Sequence, residues 1–237
     1  MGKINPGITQ DFLDSLLTAA GRYRINVAIG EELIPIDVDP GVFPPKSIYS
    51  ISSRSVYDAF GRLDGVAVAD IGCGTLIEGI VAARAGAGHV DATDCSLRAV
   101  ICSEHNAELN NLAGKINVYH GDLFAALPKG RRYDLIIANL PIVDYCPEKE
   151  TDETRALYDP GLSLHKRLFA EALSWLAPDG MITFTHANLQ SKDTEEPGAD
   201  FDHLERMVSQ YEYQIVACVE SQAIGYSWRN YKIKPRN

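Results

Sequence analysis

Ile8, Phe12, Leu13, Leu16, Leu17 and Ala20 recur at helical spacing, which predicts an opening helix over Ile8–Ala20 capped by Thr9 or Asp11. The period then shortens. Arg24–Ile29 and Leu33–Val38 read as two strands around a turn at Gly30-Glu31, and Asp39-Pro40-Gly41 closes that unit. Phe43-Pro44-Pro45 leads into a helix expected over Ser52–Phe60. Residues 1–64 hold too few apolar positions for a core of their own, so they are expected to form a cap that does not fold independently.

From Gly65 onward, short apolar runs alternate with helical segments. Val66–Ile71, His89–Thr93, Ile116–His120, Leu135–Ala138 and Met181–His186 are the expected strands. Helices are expected up to about Ala85, over Leu97–Asn110 and over Leu164–Leu176. Strands separated by helices imply right-handed crossovers, hence an α/β domain over residues 65–237 with a mostly parallel sheet covered on both faces. The end of the chain departs from this. Tyr213–Glu220 and Trp228–Ile233 have only a short loop between them, which predicts an antiparallel hairpin at a sheet edge.

Composition narrows the class of partner. Hydrophobic residues at 46% and charged residues at 23% are ordinary for a globular protein and exclude a mostly disordered chain. Lys and Arg total 22 against 32 for Asp and Glu, a net charge of −10, which argues against nucleic-acid and anionic-membrane partners. The five cysteines form no CxxC pair and no zinc-like spacing with histidine, so free thiols and no metal are expected. The opening MGKINPGITQDF has no apolar signal core, and no apolar run nears the ~20 residues that span a bilayer, so a cytoplasmic location is expected. Nothing in the pattern specifies an oligomeric state.

Chemistry concentrates at the predicted carboxyl ends of the strands. Val68-Ala69-Asp70-Ile71-Gly72-Cys73-Gly74-Thr75 is a buried strand ending in a carboxylate, then two glycines before a helix, as a tight turn against a closely approaching ligand requires. Asp94 ends the next strand 24 residues after Asp70, near the ~20-residue offset at which an acid meets ribose hydroxyls. Gly121-Asp122 follows the third strand and Asn139-Leu140-Pro141 the fourth. Ligands bind along that edge of an open α/β sheet, so the spacing points to a nucleoside site.

These motifs resemble those of class I S-adenosylmethionine-dependent methyltransferases, from about Gly65 to the C-terminus. The resemblance implies a Rossmann-like seven-stranded sheet with an antiparallel last strand. It also implies S-adenosylmethionine as cofactor, held by Asp70, Gly72, Gly74, Asp94, Asp122 and Asn139. Pro178-Asp179-Gly180 is similar to that family's Pro-x-Gly turn. Leu76 stands where the family often has a third glycine, and its side chain is expected to crowd the methionine end.

Tyr133–Ile142, with Asn139-Leu140-Pro141 at its centre, resembles the Asn-Pro-Pro-Tyr loop of amide and amine N-methyltransferases. Gly41-Val42-Phe43-Pro44 and Glu104–Asn110 are similar to that group and its ribosomal-protein relatives. The resemblance gives Asn139, Leu140 and Pro141 the catalytic positions, with the Asn139 side-chain oxygen and the Leu140 carbonyl accepting from the target nitrogen. Ile142 replaces the aromatic residue of such loops, and Tyr145 is the nearest substitute. Tyr23, Tyr49, Tyr57 and Tyr226 are candidate lid aromatics, and Trp175 is expected to pack helix on sheet. His186 ends the fifth strand, while the other histidines show no clustering. The charged segments Cys146–Asp159 and Ser191–Asp200 read as solvated loops placed where substrate-covering loops belong.

The leading expectation is methyl transfer to a nitrogen of a small or peptide-like substrate. A weaker resemblance, to azetidine-2-carboxylate synthases, implies cyclisation of S-adenosylmethionine to methylthioadenosine instead. A nucleoside-binding module without turnover is the third reading.

Overall fold

The structure is a computed structural model that describes residues 20–45, 51–57, 60–223 and 225–236. The helix expected over Ile8–Ala20 lies outside the described residues, apart from Ala20 itself. β1 (Tyr23–Ile29) and β2 (Glu32–Val38) form the expected hairpin, with Ile29 opposite Glu32 and Tyr23 opposite Val38. Helix α1 (Ile51–Tyr57) follows.

The seven-stranded sheet runs in the order β5-β4-β3-β6-β7-β9-β8. Its strands are β3 (Ala67–Ile71), β4 (His89–Asp94), β5 (Ile116–His120), β6 (Tyr133–Ala138), β7 (Leu176–Ala187), β8 (Tyr213–Ala223) and β9 (Tyr226–Pro235). β5 through β7 pair in parallel, while β9 pairs antiparallel with both β7 and β8. The α/β sheet with an antiparallel last strand is therefore as expected. Helices α2 (Ile77–Arg84), α3 (Leu97–Leu109), α4 (Asp152–Arg155), α5 (Ser163–Ala172) and α6 (Ala199–Gln210) supply the crossovers and loops.

Side chains along β3 alternate between two apolar cores, as the strand pleat requires. Val68 joins one core with Val90 and Ile80, whereas Ala69 and Ile71 join the other with Phe169 and Leu204. The front segment shares the first core: Ile34, Ile36 and Val38 of β2 and Val56 of α1 are all buried in it. Polar bonds sew β2 to α3. The Asn106 side chain accepts from the Asp37 amide (2.8 Å) and donates to the carbonyls of Asp37 (2.8 Å) and Thr75 (3.0 Å).

Two expectations fail at the sheet's second half. The helix expected to reach Leu176 stops at Ala172, because Leu176 already pairs with Tyr133 as the start of β7. Pro178-Asp179-Gly180 is thereby absorbed into β7, where Asp179 takes a left-handed φ of 63° and the β6–β7 register shifts. Helix α6 lies where the sequence pattern predicts no helix. Its stripe of Phe201, Leu204, Met207 and Val208 is buried, and the acidic residues around it obscured that spacing.

Candidate active site

The glycine turn after β3 is shaped by backbone geometry that side chains resist. Gly72 and Gly74 have φ of 74° and 53°, the left-handed region that glycine enters without penalty. The amides of Gly72 (2.8 Å) and Cys73 (3.0 Å) both donate to the Thr93 carbonyl, which ties the turn to the end of β4. A Cβ on Gly72 would lie 3.0 Å from Leu140 Cδ2, so the turn and the loop after β6 close on each other.

Asp94 bridges two turns at this edge. Its Oδ2 accepts from the Gly74 amide (3.0 Å) and its Oδ1 from the Ser96 amide (2.8 Å). Burial pushes its carboxyl above the usual range, opposed by those two amides. Asp122 is different. Its side chain is 55% exposed and pairs with Arg167 at 2.9 Å.

Asn139 lies at the end of β6, and both bonds of its amide nitrogen reach back across the site. Nδ2 donates to Ser53 Oγ (2.9 Å) and to Glu78 Oε1 (2.8 Å), leaving the side-chain oxygen as the acceptor of that amide. Ser53 and Glu78 are themselves buried.

A cavity of about 310 Å³ opens along the carboxyl ends of β3 to β6. Gly72, Gly74, Asp94, Asp122, Asn139, Leu140 and Pro141 all line it. Val42, Phe43 and Ser53 close it from the front segment, and Tyr226 and Trp228 from β9. Asp152 and Arg155 of α4 also line it. That part of the expected solvated loop is folded against the site by a reciprocal cap, in which the Thr151 and Thr154 side chains bond each other's amides.

Asp70 does not reach the cavity wall. It is buried beneath the turn, where Oδ2 accepts from the Gly79 amide at 2.9 Å. Leu76 does not crowd the site either. Its φ of 68° turns the side chain away from the cavity and into the first core, where it is fully buried. Tyr145 packs on Tyr158, with ring centroids 5.1 Å apart, rather than lining the cavity in place of an aromatic at Ile142. Of the proposed lid aromatics, Tyr226 lines the cavity, Tyr57 is in the core and Tyr23 is exposed on the hairpin. Tyr49 lies outside the described residues. Trp175 stacks on Phe124, in the turn segment after β5, and on Tyr133 of β6, so its ring contacts join a loop to the sheet where a helix was expected.

Ser53 and Glu78 were not singled out from the sequence. Glu78 did carry a signal: it is the one charged residue in the apolar stretch Ile77–Ala83. A smaller cavity of about 170 Å³ lies beyond Ile142, lined by His186, His203, Asp144 and Asp200. Burial pushes His186 down to about 3, so that ring is neutral, and its Nδ1 has no hydrogen-bond partner among the described residues. Among the described residues no helix is long and apolar enough to cross a membrane.

The turn, the acid ending β4 and the asparagine ending β6 stand together around one cavity at the carboxyl edge of the sheet. Residues 34–217 match the methyltransferase small domain family, and the chain belongs to that family. It is 34% identical over 113 residues to the ribosomal protein uL3 glutamine methyltransferase of Burkholderia pseudomallei, covering 42% of this chain and 37% of that protein. The chain spans about a third of the length of such curated relatives. Among solved structures, the ribosomal protein L11 methylase of Lactobacillus delbrueckii subsp. bulgaricus superposes with a TM-score of 0.60 at 23% identity, covering 84% of each chain. The methyltransferase-fold protein SMU.776, solved with S-adenosylhomocysteine, gives 0.63 at 18% identity over 89% of this chain and 56% of its own. Both likenesses speak to the fold.

Proposed function

We propose that this protein uses S-adenosylmethionine to methylate an amide or amine nitrogen on a peptide or protein. The observation that carries this reading is Asn139. With its amide nitrogen held by Ser53 and Glu78, its oxygen is the atom left to accept from an incoming N–H. The matched uL3 relative, whose name specifies glutamine, supports an amide acceptor.

The cavity suits the donor. Its volume falls at the lower end of the ~300–1,000 Å³ typical of small-molecule sites. Asp94 keeps free lone pairs on both oxygens for ribose hydroxyls, and Gly72 and Gly74 let the ligand approach the backbone. Asp122, exposed on the cavity lining, would hold the base. Asp70 acts from below, by holding the Gly79 amide and so the start of α2.

When bound, S-adenosylmethionine supplies a methyl group on a sulfonium leaving group. The remaining work is alignment. Asn139 Oδ1 and the Leu140 carbonyl accept from the target nitrogen and point its lone pair, Pro141 stiffens the loop, and Ser53 with Glu78 prevents the Asn139 amide from turning over. The described part of the front segment within residues 1–64 serves as a cap over the site and not as a separate domain. The acidic balance favours protein over RNA as acceptor.

The test is to incubate the purified protein with labelled S-adenosylmethionine alone, with glutamine-bearing ribosomal-protein peptides, and with ribosomal RNA. Label is expected on peptide nitrogen, with S-adenosylhomocysteine formed only when peptide is present. Methylthioadenosine from the donor alone would replace this reading with the cyclase, and label on RNA would move the acceptor to nucleic acid.

A further inference from the structure

Two acids are buried together, one on the cavity wall and one behind it, with no cation beside them among the described residues. Asp70 ends β3 and Glu78 lies in the first turn of α2, and both are almost inaccessible to solvent. What faces them is polar or negative. From α1 comes the Ser53 hydroxyl, from the loop after β6 the Asn139 amide, and from α2 the Gly79 amide. Asp94, ending β4, adds a further negative charge that acts on Asp70. Among the described residues no Lys, Arg or His pairs with either acid. Two carboxylates in a dry site cannot both stay ionised at small cost. Of the two, Glu78 lines the cavity and Asp70 does not.

Building on the proposed donor, we propose that Glu78 receives the positive charge of the ligand, and that the Asp70–Glu78 pair gives up its shared proton to solvent when that ligand binds. The cavity thereby selects a cationic nucleoside. The balance is simple: one carboxyl O–H breaks, its proton passes to buffer, and the carboxylate left behind faces the ligand's ammonium or sulfonium. Burial raises both groups above the usual carboxylate range; the Glu78 charge adds to it at Asp70, whereas the Ser53 and Asn139 bonds oppose it at Glu78. A cation in the cavity reverses that balance, because an opposite charge nearby favours the ionised form.

Calorimetry of S-adenosylmethionine binding, repeated in buffers of different ionisation enthalpy, reads the proton directly. At about pH 6.5 the ligand's own amine stays protonated, so any release comes from the protein. The wild type is expected to release about one proton per ligand bound. Glu78→Gln keeps an oxygen to accept from Asn139 but has no proton of this kind to lose. It should release none and bind roughly 10- to 100-fold more weakly. Asp70→Asn, which keeps an acceptor for Gly79, removes the like charge and should also suppress release, so the idea remains testable if one variant fails to fold. Binding without proton release in the wild type, or unchanged release in folded Glu78→Gln, would overturn this inference and leave the donor assignment standing. No binding of S-adenosylmethionine at all would overturn the donor assignment, and this inference with it.

Discussion

Single side chains in this site do more than one job. Asn139 joins three segments, because its amide reaches α1 through Ser53 and α2 through Glu78 from the loop after β6. Asn139→Ala should lower turnover by about 10²-fold through lost alignment. It also strips Glu78 and Ser53 of a donor, so a loss of ~1–2 kcal/mol in stability is expected alongside. Single-turnover kinetics and thermal melting of the same variant check both numbers, and a folded variant turning over at the wild-type rate would remove Asn139 from the mechanism. Leu76 shows a second balance. Its left-handed backbone costs ~1–2 kcal/mol, but a fully buried leucine contributes ~2–5 kcal/mol as judged by truncation to alanine. Burial wins, which is why a leucine can occupy a position that its φ of 68° would otherwise reserve for glycine.

At the scale of elements, the hairpin is held to α3 as much by polar bonds as by its apolar face. Asp37 accepts from Arg24 within the hairpin (2.6 Å) and pairs with His105 of α3 (2.7 Å). The Arg24 bond, aided by His105, holds its carboxyl down at about 2. A carboxyl depressed in the folded state stabilises fully above its ordinary value of 3.8, and that contribution is lost as pH falls towards about 2. The hairpin should therefore loosen from α3 as the solution is acidified below about pH 4. Melting temperature followed between neutral pH and that range should fall more steeply in the wild type than in Asp37→Asn, and parallel curves would refute the assignment. Most elements were legible because their apolar period was clean, as in β1, β5 and α3. Helix α6 and the start of β7 were not. In α6 acidic residues flank the stripe, and in β7 the Pro178-Asp179-Gly180 turn signal was overridden by pairing with β6.

On the scale of the molecule, the cap and the sheet share one interior. Ile34, Ile36, Val38 and Val56 are buried in the same core as Val68 and Ile80. Removing residues 1–64 should leave Ile77, Ile80 and Val81 without cover. The shortened chain is expected to lose its cooperative melting transition and its affinity for S-adenosylmethionine together. A soluble, cooperatively melting 65–237 fragment that binds the donor as the full chain does would make the front segment a dispensable appendage. The sequence by itself determined the α/β alternation, the edge hairpin, the glycine turn and the acids and asparagine at the strand ends. Each of these is written in local spacing, and strand ends in a parallel sheet necessarily share one edge. Only the tertiary structure decided which acid faces the cavity. Asp70 and Glu78 are eight residues apart, and the path of the turn buries the first and leaves the second on the wall. Ser53 reached the site in the same way, through a long-range contact across 86 residues to Asn139. Contacts of that range follow from how α1 packs over α2 and the sheet, and no local period encodes them.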